Sequence, residues 1–335
     1  MADAAPPRKY ITELALNLHT STVIMIPPDQ LHRKADGPPG FAEAASECHI
    51  YLICRRPRLS FDPHTFRPGT KISEGHFVRR VDGNEQRIAF RMKTGAPDGG
   101  RVEVGPYPHR ELIGFNAQGE PERSFPATIL VQWTSVSDDT VRDFEVVYVG
   151  QAFGDGTRSA LDRLRSHSTL QQILAELSAS KPDDEVMLFL FKYQPAQFLA
   201  SIDGITKSGI SGEADTEHFL NVMDNSLSEK QEIAIAEAGL IRYFAPEYNE
   251  KYKSSFPDEQ HKILEDCYKL DFSGLVVEIN TEDIRAPLWS PSTKGKGLHH
   301  IASFDLHDLA IRRSFFSLVD KNGKYALMND SGPVF

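Results

Sequence analysis

Cysteine is scarce in this sequence: Cys48, Cys54 and Cys267 are its 3 cysteines, an odd set without C-x-x-C spacing. That excludes a disulfide framework and a cysteine-built zinc site, and it points to a reducing, cytoplasmic setting. Long apolar runs are missing as well. None approaches the ~18 residues that a membrane-spanning helix needs, so no membrane association is expected. The first ten residues, M-A-D-A-A-P-P-R-K-Y, lack the charged-then-apolar order of a secretory signal and read as a short disordered arm. Basic residues are in deficit, with 37 Lys and Arg against 47 Asp and Glu for a formal net charge of -10. A broad, sequence-independent grip on phosphate backbones draws on many cations and is therefore not expected, whereas a small local site remains open.

One stretch reverses the acidic balance. Between Arg55 and Arg110, Arg56, Arg58, Arg67, Lys71, Arg79, Arg80, Arg87, Arg91, Lys93 and Arg101 help cations outnumber acids about two to one. The same stretch alternates apolar and basic residues, in H-F-V-R-R-V and R-I-A-F-R-M-K around the turn D-G-N-E, as a β-hairpin does. Its charges serve either an anionic ligand or the guarding of strand edges. H-I-Y-L-I-C, Cys48 to Cys54 with its flanks, reads as a short apolar strand, and R-V-E-V-G continues the β-rich pattern. Residues 1–125 thus form a β-rich region, with a Gly/Pro-rich boundary at Asn116 to Pro126.

From Ala127 the order becomes strand, strand, helix, strand, helix. A-T-I-L-V-Q-W predicts the first strand and F-E-V-V-Y-V-G the second. A helix is predicted over 158–177, with Leu161, Leu164, Leu170, Ile173 and Leu174 on its apolar face. Val186 to Tyr193 is a buried strand, Gly204 to Asn225 an inserted loop, and S-L-S-E-K caps a last helix that stops before Pro246. Residues 126–254 form this unit. Residues 255–335 form a mixed α/β extension with a helix around His261 to Tyr268, the strand F-S-G-L-V-V-E-I-N, a loop carrying His299 and His300, and a hairpin turn at K-N-G-K-Y-A-L.

Chemistry concentrates in two segments of the middle unit. V-Y-V-G-Q, Val147 to Gln151, leads through a Gly-containing turn to R-L-R-S-H, where Arg163 and His167 stand one helical turn apart and share a face. E-A-G-L-I-R-Y-F-A-P-E-Y-N, Glu237 to Asn249, supplies a carboxylate from an otherwise apolar helix, where unpaired burial would be costly. A cation, an imidazole, a carboxylate and a tyrosine are the groups that phosphodiester hydrolysis uses.

In order and placement these segments resemble the GIY-YIG nuclease superfamily. Tyr148 to Gly150 stands where the family has Y-I-G, Arg163 and His167 stand on its arginine-bearing helix, and Glu237 to Asn249 matches its E-x-x-L-I-x-x-x-x-P-x-x-N. The resemblance covers Ala127 to Lys253. It implies an α+β fold with a GIY-YIG-like core: a small antiparallel sheet flanked by helices, here with β-rich N-terminal and C-terminal extensions. It also implies a metal-dependent endonuclease acting on nucleic acid, DNA ahead of RNA, with the flanking regions available to a protein partner or a second copy of the chain. The implied catalytic residues are Tyr148, Arg163, His167, Glu237 and Asn249. Glu237 is the implied ligand of Mg²⁺ or Mn²⁺, and Gly150, Gln151, Arg158 and Arg165 are the implied substrate contacts. Two departures stand out. The turn before Arg163 is lengthened by F-G-D-G-T, and the expected first-motif strand, Ile129 to Trp133, carries no tyrosine. That second departure leaves open a binding or scaffold protein that keeps the fold without the cleavage.

Overall fold

Ile50–Pro57 buries side chains on both of its faces, the mark of a strand enclosed within a sheet. The computed structural model, which describes residues 8–32, 40–93, 99–152, 159–202, 209–225, 227–251, 264, 267–307, 312 and 315, places it third among the strands. In chain order these are β1 (Thr12–Leu18), β2 (Thr20–Ile26), β3 (Ile50–Pro57), β4 (Ser60–Phe61), β5 (Ile72–Val81), β6 (Asn84–Lys93), β7 (Arg101–Val104) and β8 (Glu111–Phe115). There follow β9 (Pro121–Pro126), β10 (Ser135–Val136), β11 (Phe144–Gln151), β12 (Asp184–Tyr193), β13 (Gln197–Ile202), β14 (Gly274–Asn280), β15 (Leu288–Trp289) and β16 (His299–Asp305). The helices are α1 (Phe41–Ser46), α2 (Ala127–Leu130), α3 (Ala160–Arg165), α4 (Ser168–Ser180), α5 (Glu213–Asp224), α6 (Glu229–Phe244) and α7 (Glu247–Lys251).

The fold is mixed α+β with several sheets. The central sheet has the order β15-β11-β3-β12-β2, with β3 antiparallel to both β11 and β12. One of its faces packs Leu52, Cys54, Phe144 and Phe189 with the apolar residues of α6. The other packs Ile53, Val147 and Leu188 with Ala160 and Leu164 of α3 and Leu170 and Ile173 of α4. A second sheet, β13-β1-β14-β16, lies beyond α6. Caught between two layers, α6 is buried almost all round, and a side chain at Gly239 would come within 2.7 Å of Val277 on β14.

Everything from β4 to β10 is an excursion between two neighbouring strands of the central sheet, β3 and β11. It has its own sheets, β10-β6-β5-β4 and β7-β8-β9, and its own core around Phe61, Phe77, Phe90 and Leu112. The hairpin β5–β6 turns at Asp82 and Gly83, both at positive φ (50 and 78), as the D-G-N-E signal predicts. Arg56 anchors the excursion to the sheet. Buried in the core, it donates to Glu185 at 2.8 Å, to the Val141 carbonyl at 2.9 Å and to the Thr128 carbonyl at 2.8 Å, and it lies over the Phe144 ring.

Several expectations change. Residues 127–133 form α2 and a 3-10 turn, not a strand. Ala127 and Val131, four apart, both enter the core of the insert, and a short apolar run cannot by itself be told apart as helix or strand. The boundary near residue 126 consequently does not divide structural units, because β3 from the first region sits between β11 and β12. Likewise β1 pairs with β14 of the C-terminal region. The predicted helix 158–177 is two helices, the predicted loop 204–225 contains α5, and His299 and His300 lie on strand β16. His300 is buried, its Nε2 2.9 Å from the Leu288 carbonyl and its Nδ1 2.9 Å from the Tyr243 hydroxyl. Arg158, the F-G-D-G-T segment, the N-terminal arm before Arg8, most of the predicted helix at 261–268 and the K-N-G-K-Y-A-L turn lie outside the described residues. Among the described residues, no helix is long and apolar enough to cross a membrane.

Candidate active site

The two strands β3 and β11 bring together a residue pair that the sequence keeps apart by the whole β insert. Tyr51 faces Gly150 across the ladder, and Tyr148 faces Ile53. A one-residue irregularity between Val146 and Tyr148 makes this possible. With unbroken register Tyr148 would lie opposite Leu52 and project toward α6; the bulge turns it to the face that Tyr51 and Ile53 share. A tyrosine thus stands on the strand next to Tyr148, in H-I-Y at His49 to Tyr51, whereas 129–133 carries none. H-I-Y-L-I-C is visible as a strand in the sequence, but nothing local shows that it neighbours V-Y-V-G.

Gly150 acts sterically. A Cβ there would fall 2.4 Å from the Tyr51 ring carbon Cζ and from its hydroxyl oxygen, so the Tyr51 ring lies directly over the glycine. This places Gly150 under an aromatic ring instead of against a substrate. Tyr51, Tyr148 and His167 form one ring cluster: centroids are 6.2 Å apart for the two tyrosines, 5.7 Å for Tyr51 and His167, and 5.8 Å for Tyr148 and His167.

His167 occupies the joint between α3 and α4. Ser159 and Asp162 form a capping box at the start of α3, which ends at Arg165. His167 then caps α4, its Nδ1 accepting from the Leu170 amide at 3.2 Å. An Nδ1 that accepts assigns the proton of the neutral ring to Nε2. That Nε2 lies 3.2 Å from the Tyr51 hydroxyl and therefore donates to its oxygen. Burial, and secondarily the Arg163 cation, lower the His167 pKa to about 4. At neutral pH His167 is thus a hydrogen-bond donor to Tyr51 with no free lone pair, which removes it as the base that deprotonates water.

The tyrosines are held protonated. Burial raises the Tyr51 pKa well above the usual phenol value, with the Tyr148 and Glu237 charges adding to it and the Arg163 cation opposing it. Tyr148 is raised for the same first reason, again with Glu237 raising and Arg163 lowering. Half-buried Arg163, at the end of α3, and Glu237, 4% exposed on α6, therefore both act on the two hydroxyls. Cation, carboxylate, two phenols and an imidazole act on one another here although they come from β3, β11, α3, α6 and the α3–α4 joint.

Asn249 belongs to the scaffold of this site. Its Oδ1 accepts from the Val149 amide at 2.7 Å and its Nδ2 donates to the Val149 carbonyl at 2.8 Å, so both ends of the buried carboxamide are spent on the β11 backbone. Pinning Val149 sets the position of its neighbours Tyr148 and Gly150. Arg165 is exposed, bonded to the Leu31 carbonyl at 2.8 Å and to Asp162 at 3.1 Å. Gln151 ends β11 opposite Ile50.

Among the described residues no group of three or more His, Cys, Asp or Glu could hold a metal ion. Glu237 is a carboxylate whose charge acts on both phenols. A single hard oxygen donor suits Mg²⁺ or Mn²⁺, which keep several waters and complete their shell with substrate phosphate, and does not suit a four-ligand zinc site. Comparison with family models, with curated proteins and with solved structures gives no match to this chain.

Proposed function

We propose that the Tyr51 cluster hydrolyses phosphodiester bonds of nucleic acid as a GIY-YIG-type endonuclease, with DNA as the preferred substrate. The observation that carries this reading is the convergence of Tyr51, Tyr148, Arg163 and His167 on one face of the β3–β11 pair, with Glu237 of α6 close enough for its charge to act on both phenols. Tyr51, beside Tyr148, supports cleavage over the non-cleaving scaffold that the missing first-motif tyrosine left open.

Each residue has a task that follows from its surroundings. Hydrolysis concentrates negative charge on the non-bridging and leaving oxygens, and the planar donors of Arg163 suit the former. Glu237 would hold Mg²⁺ or Mn²⁺, which supplies Lewis-acid stabilisation of the leaving oxygen. His167 donates to the Tyr51 oxygen and so favours its anion. Tyr51 is protonated at rest and engaged with Tyr148; only its phenolate, formed when that proton leaves to solvent past Tyr148, would take a proton from water, which Tyr148 orients. A buried phenol needs such help, because its ordinary pKa of about 10 already exceeds working pH.

The test is incubation of the purified protein with plasmid, linear and single-stranded DNA and with RNA, each with EDTA, Mg²⁺ or Mn²⁺. Metal-dependent cleavage that disappears in Glu237→Gln and in Tyr51→Phe supports the reading. A folded wild-type protein inert on every substrate in both metals overturns it in favour of a binding protein.

A further inference from the structure

The β insert carries a cleft of about 360 Å³ at its junction with the central sheet, lined by Arg58, Arg79, Arg80, Arg87, Arg110 and Tyr107. Five arginines face it against three carboxylates, Asp62, Glu85 and Asp183, in a chain whose formal charge is -10. A cation-rich concavity in an acidic protein focuses potential where the rest of the surface repels anions.

The arginines are not all neutralised. Arg79 is occupied by Asp138, Gln86 and Thr140. Arg80 and Arg87 share Glu85 at 3.8 and 3.5 Å, and Arg87 also lies 3.4 Å from Asp62; these contacts are long for good hydrogen bonds, and both arginines are largely exposed. Arg58 donates to the Pro182 carbonyl at 3.2 Å and the Asp184 carbonyl at 2.7 Å, which hold its guanidinium in place; the charges of Glu185, Asp183 and Asp184 act on it, but among the described residues none hydrogen-bonds it through a carboxylate. Exposed Arg110 makes no side-chain hydrogen bond or ion pair among the described residues, and its charge bears on Arg58. Two like charges held at one wall are relieved by an anion between them.

Beside them stands the most exposed large apolar side chain among the described residues, Tyr107 at 87%. Its loop is fixed: the His109 carbonyl accepts from the Phe61 amide at 2.7 Å, the His109 ring bonds the Gly105 carbonyl at 2.9 Å, and that ring meets Tyr107 edge-on. Phosphate-seeking guanidinium groups next to a rigidly presented, solvent-facing aromatic are the two parts of a single-strand platform, because an unpaired base offers a π face and a duplex does not.

We propose that this cleft binds single-stranded nucleic acid, with Arg58, Arg87 and Arg110 on phosphates and Tyr107 stacking an unpaired base. It rests on the reading that the protein acts on nucleic acid, and it adds a second, non-catalytic contact. Arg58 follows β3 seven residues after Tyr51, which puts the cleft roughly 20 Å from the tyrosine cluster along the strand. A strand seated there would feed or hold the substrate without touching the reacting groups.

The test is fluorescence anisotropy of the full chain in EDTA, with dye-labelled single-stranded DNA and RNA of about 12 nucleotides and a duplex of the same sequence. Single strands are expected to bind more tightly than the duplex. Arg110→Glu and Tyr107→Ala should each weaken that binding about tenfold, Tyr107→Phe should restore it, and each arginine removed should reduce the salt slope by about 0.7. All these side chains are on the surface, and unchanged thermal unfolding confirms that the variants fold. Duplex bound as tightly as single strand, or variants that bind like the wild type, overturn the proposal. Cleavage assays on the same proteins separate the two readings. A wild type that binds through Tyr107 and Arg110 but never cleaves leaves the cleft and removes the nuclease. A wild type that cleaves while Arg110→Glu binds normally does the reverse.

Discussion

The Tyr51 cluster on the central sheet and the Glu13 cluster on the second sheet are both buried and both titratable, yet their charges are handled in opposite ways. Around Glu13, every charge has an answer. Its carboxylate lies 2.7 Å from Nε2 of His307 and accepts from the Lys9 amide at 3.1 Å, while Nδ1 of His307 lies 2.5 Å from Asp305. These bonds raise the His307 pKa and outweigh its burial. Around Tyr51, desolvation is the first cause of every shift, raising both phenols and lowering His167. Paired charge ties β1 to the chain after β16 and has the character of a structural clasp. Groups held away from their ordinary pKa by burial, beside one cation and one carboxylate, have the character of a reactive site.

The comparison breaks most visibly at Glu237. Glu237→Gln keeps the shape and removes the charge, and metal-dependent cleavage should fall by about 10³-fold, a few kcal/mol of transition-state stabilisation. A loss of less than tenfold in steady-state cleavage would deny the Tyr51 cluster its reactive role. Gly150→Ala should cost about 10²-fold in rate, and about 1–3 kcal/mol in stability, because its Cβ lands on the Tyr51 ring. Urea unfolding and turnover measured together would show whether the ring or the strand gives way.

His307→Ala removes the shortest partner of the 1%-exposed Glu13 carboxylate and leaves it the Lys9 amide at 3.1 Å and Arg8 at 3.8 Å. It should destabilise the protein by roughly 3 kcal/mol, with turnover per folded molecule unchanged. A lost turnover with intact stability would reverse the roles assigned to the two clusters.

The smallest effects are in the pH dependence of unfolding, where the two histidines have opposite signs. Folded His167 resists protonation down to about pH 4, whereas the unfolded side chain takes its proton near 6.5. Its contribution to stability is therefore complete above that value and is lost as pH falls from about 6.5 toward 4. Folded His307 has the raised pKa. Its contribution is complete below about 6.5 and is lost as pH rises through the folded value. Melting temperatures between about pH 4 and 9 should flatten on the acid side in His167→Phe and on the neutral-to-alkaline side in His307→Gln. The same flank flattening in both variants would contradict the opposed causes.

Much of the candidate site is legible from residue types alone. Tyr148, Arg163, His167 and Glu237 are named by local pattern, and a carboxylate among Ile233, Ile235, Leu240 and Ile241 announces itself through its cost. Tyr51 is not legible, because its partner strand lies beyond the entire insert. The role of His167 is hidden too: one predicted helix becomes two, and the break turns a face-sharing imidazole into a cap whose remaining nitrogen must donate. Asn249 and Gly150 carry a motif-like spacing, but only contacts show that one clamps the Val149 backbone and the other makes room for a ring.

Period-two and helical patterns, turn chemistry at Asp82–Gly83 and the capping residues Ser159 and Ser228 are local energies, and the chain order alone specifies them. Strand neighbours are a different matter. That β3 lies between β11 and β12, and that a one-residue bulge swings Tyr148 onto the face of Tyr51, depends on burying two opposed sheet faces at once. This is a cooperative, long-range packing condition, and it has no signature in any local window of residues.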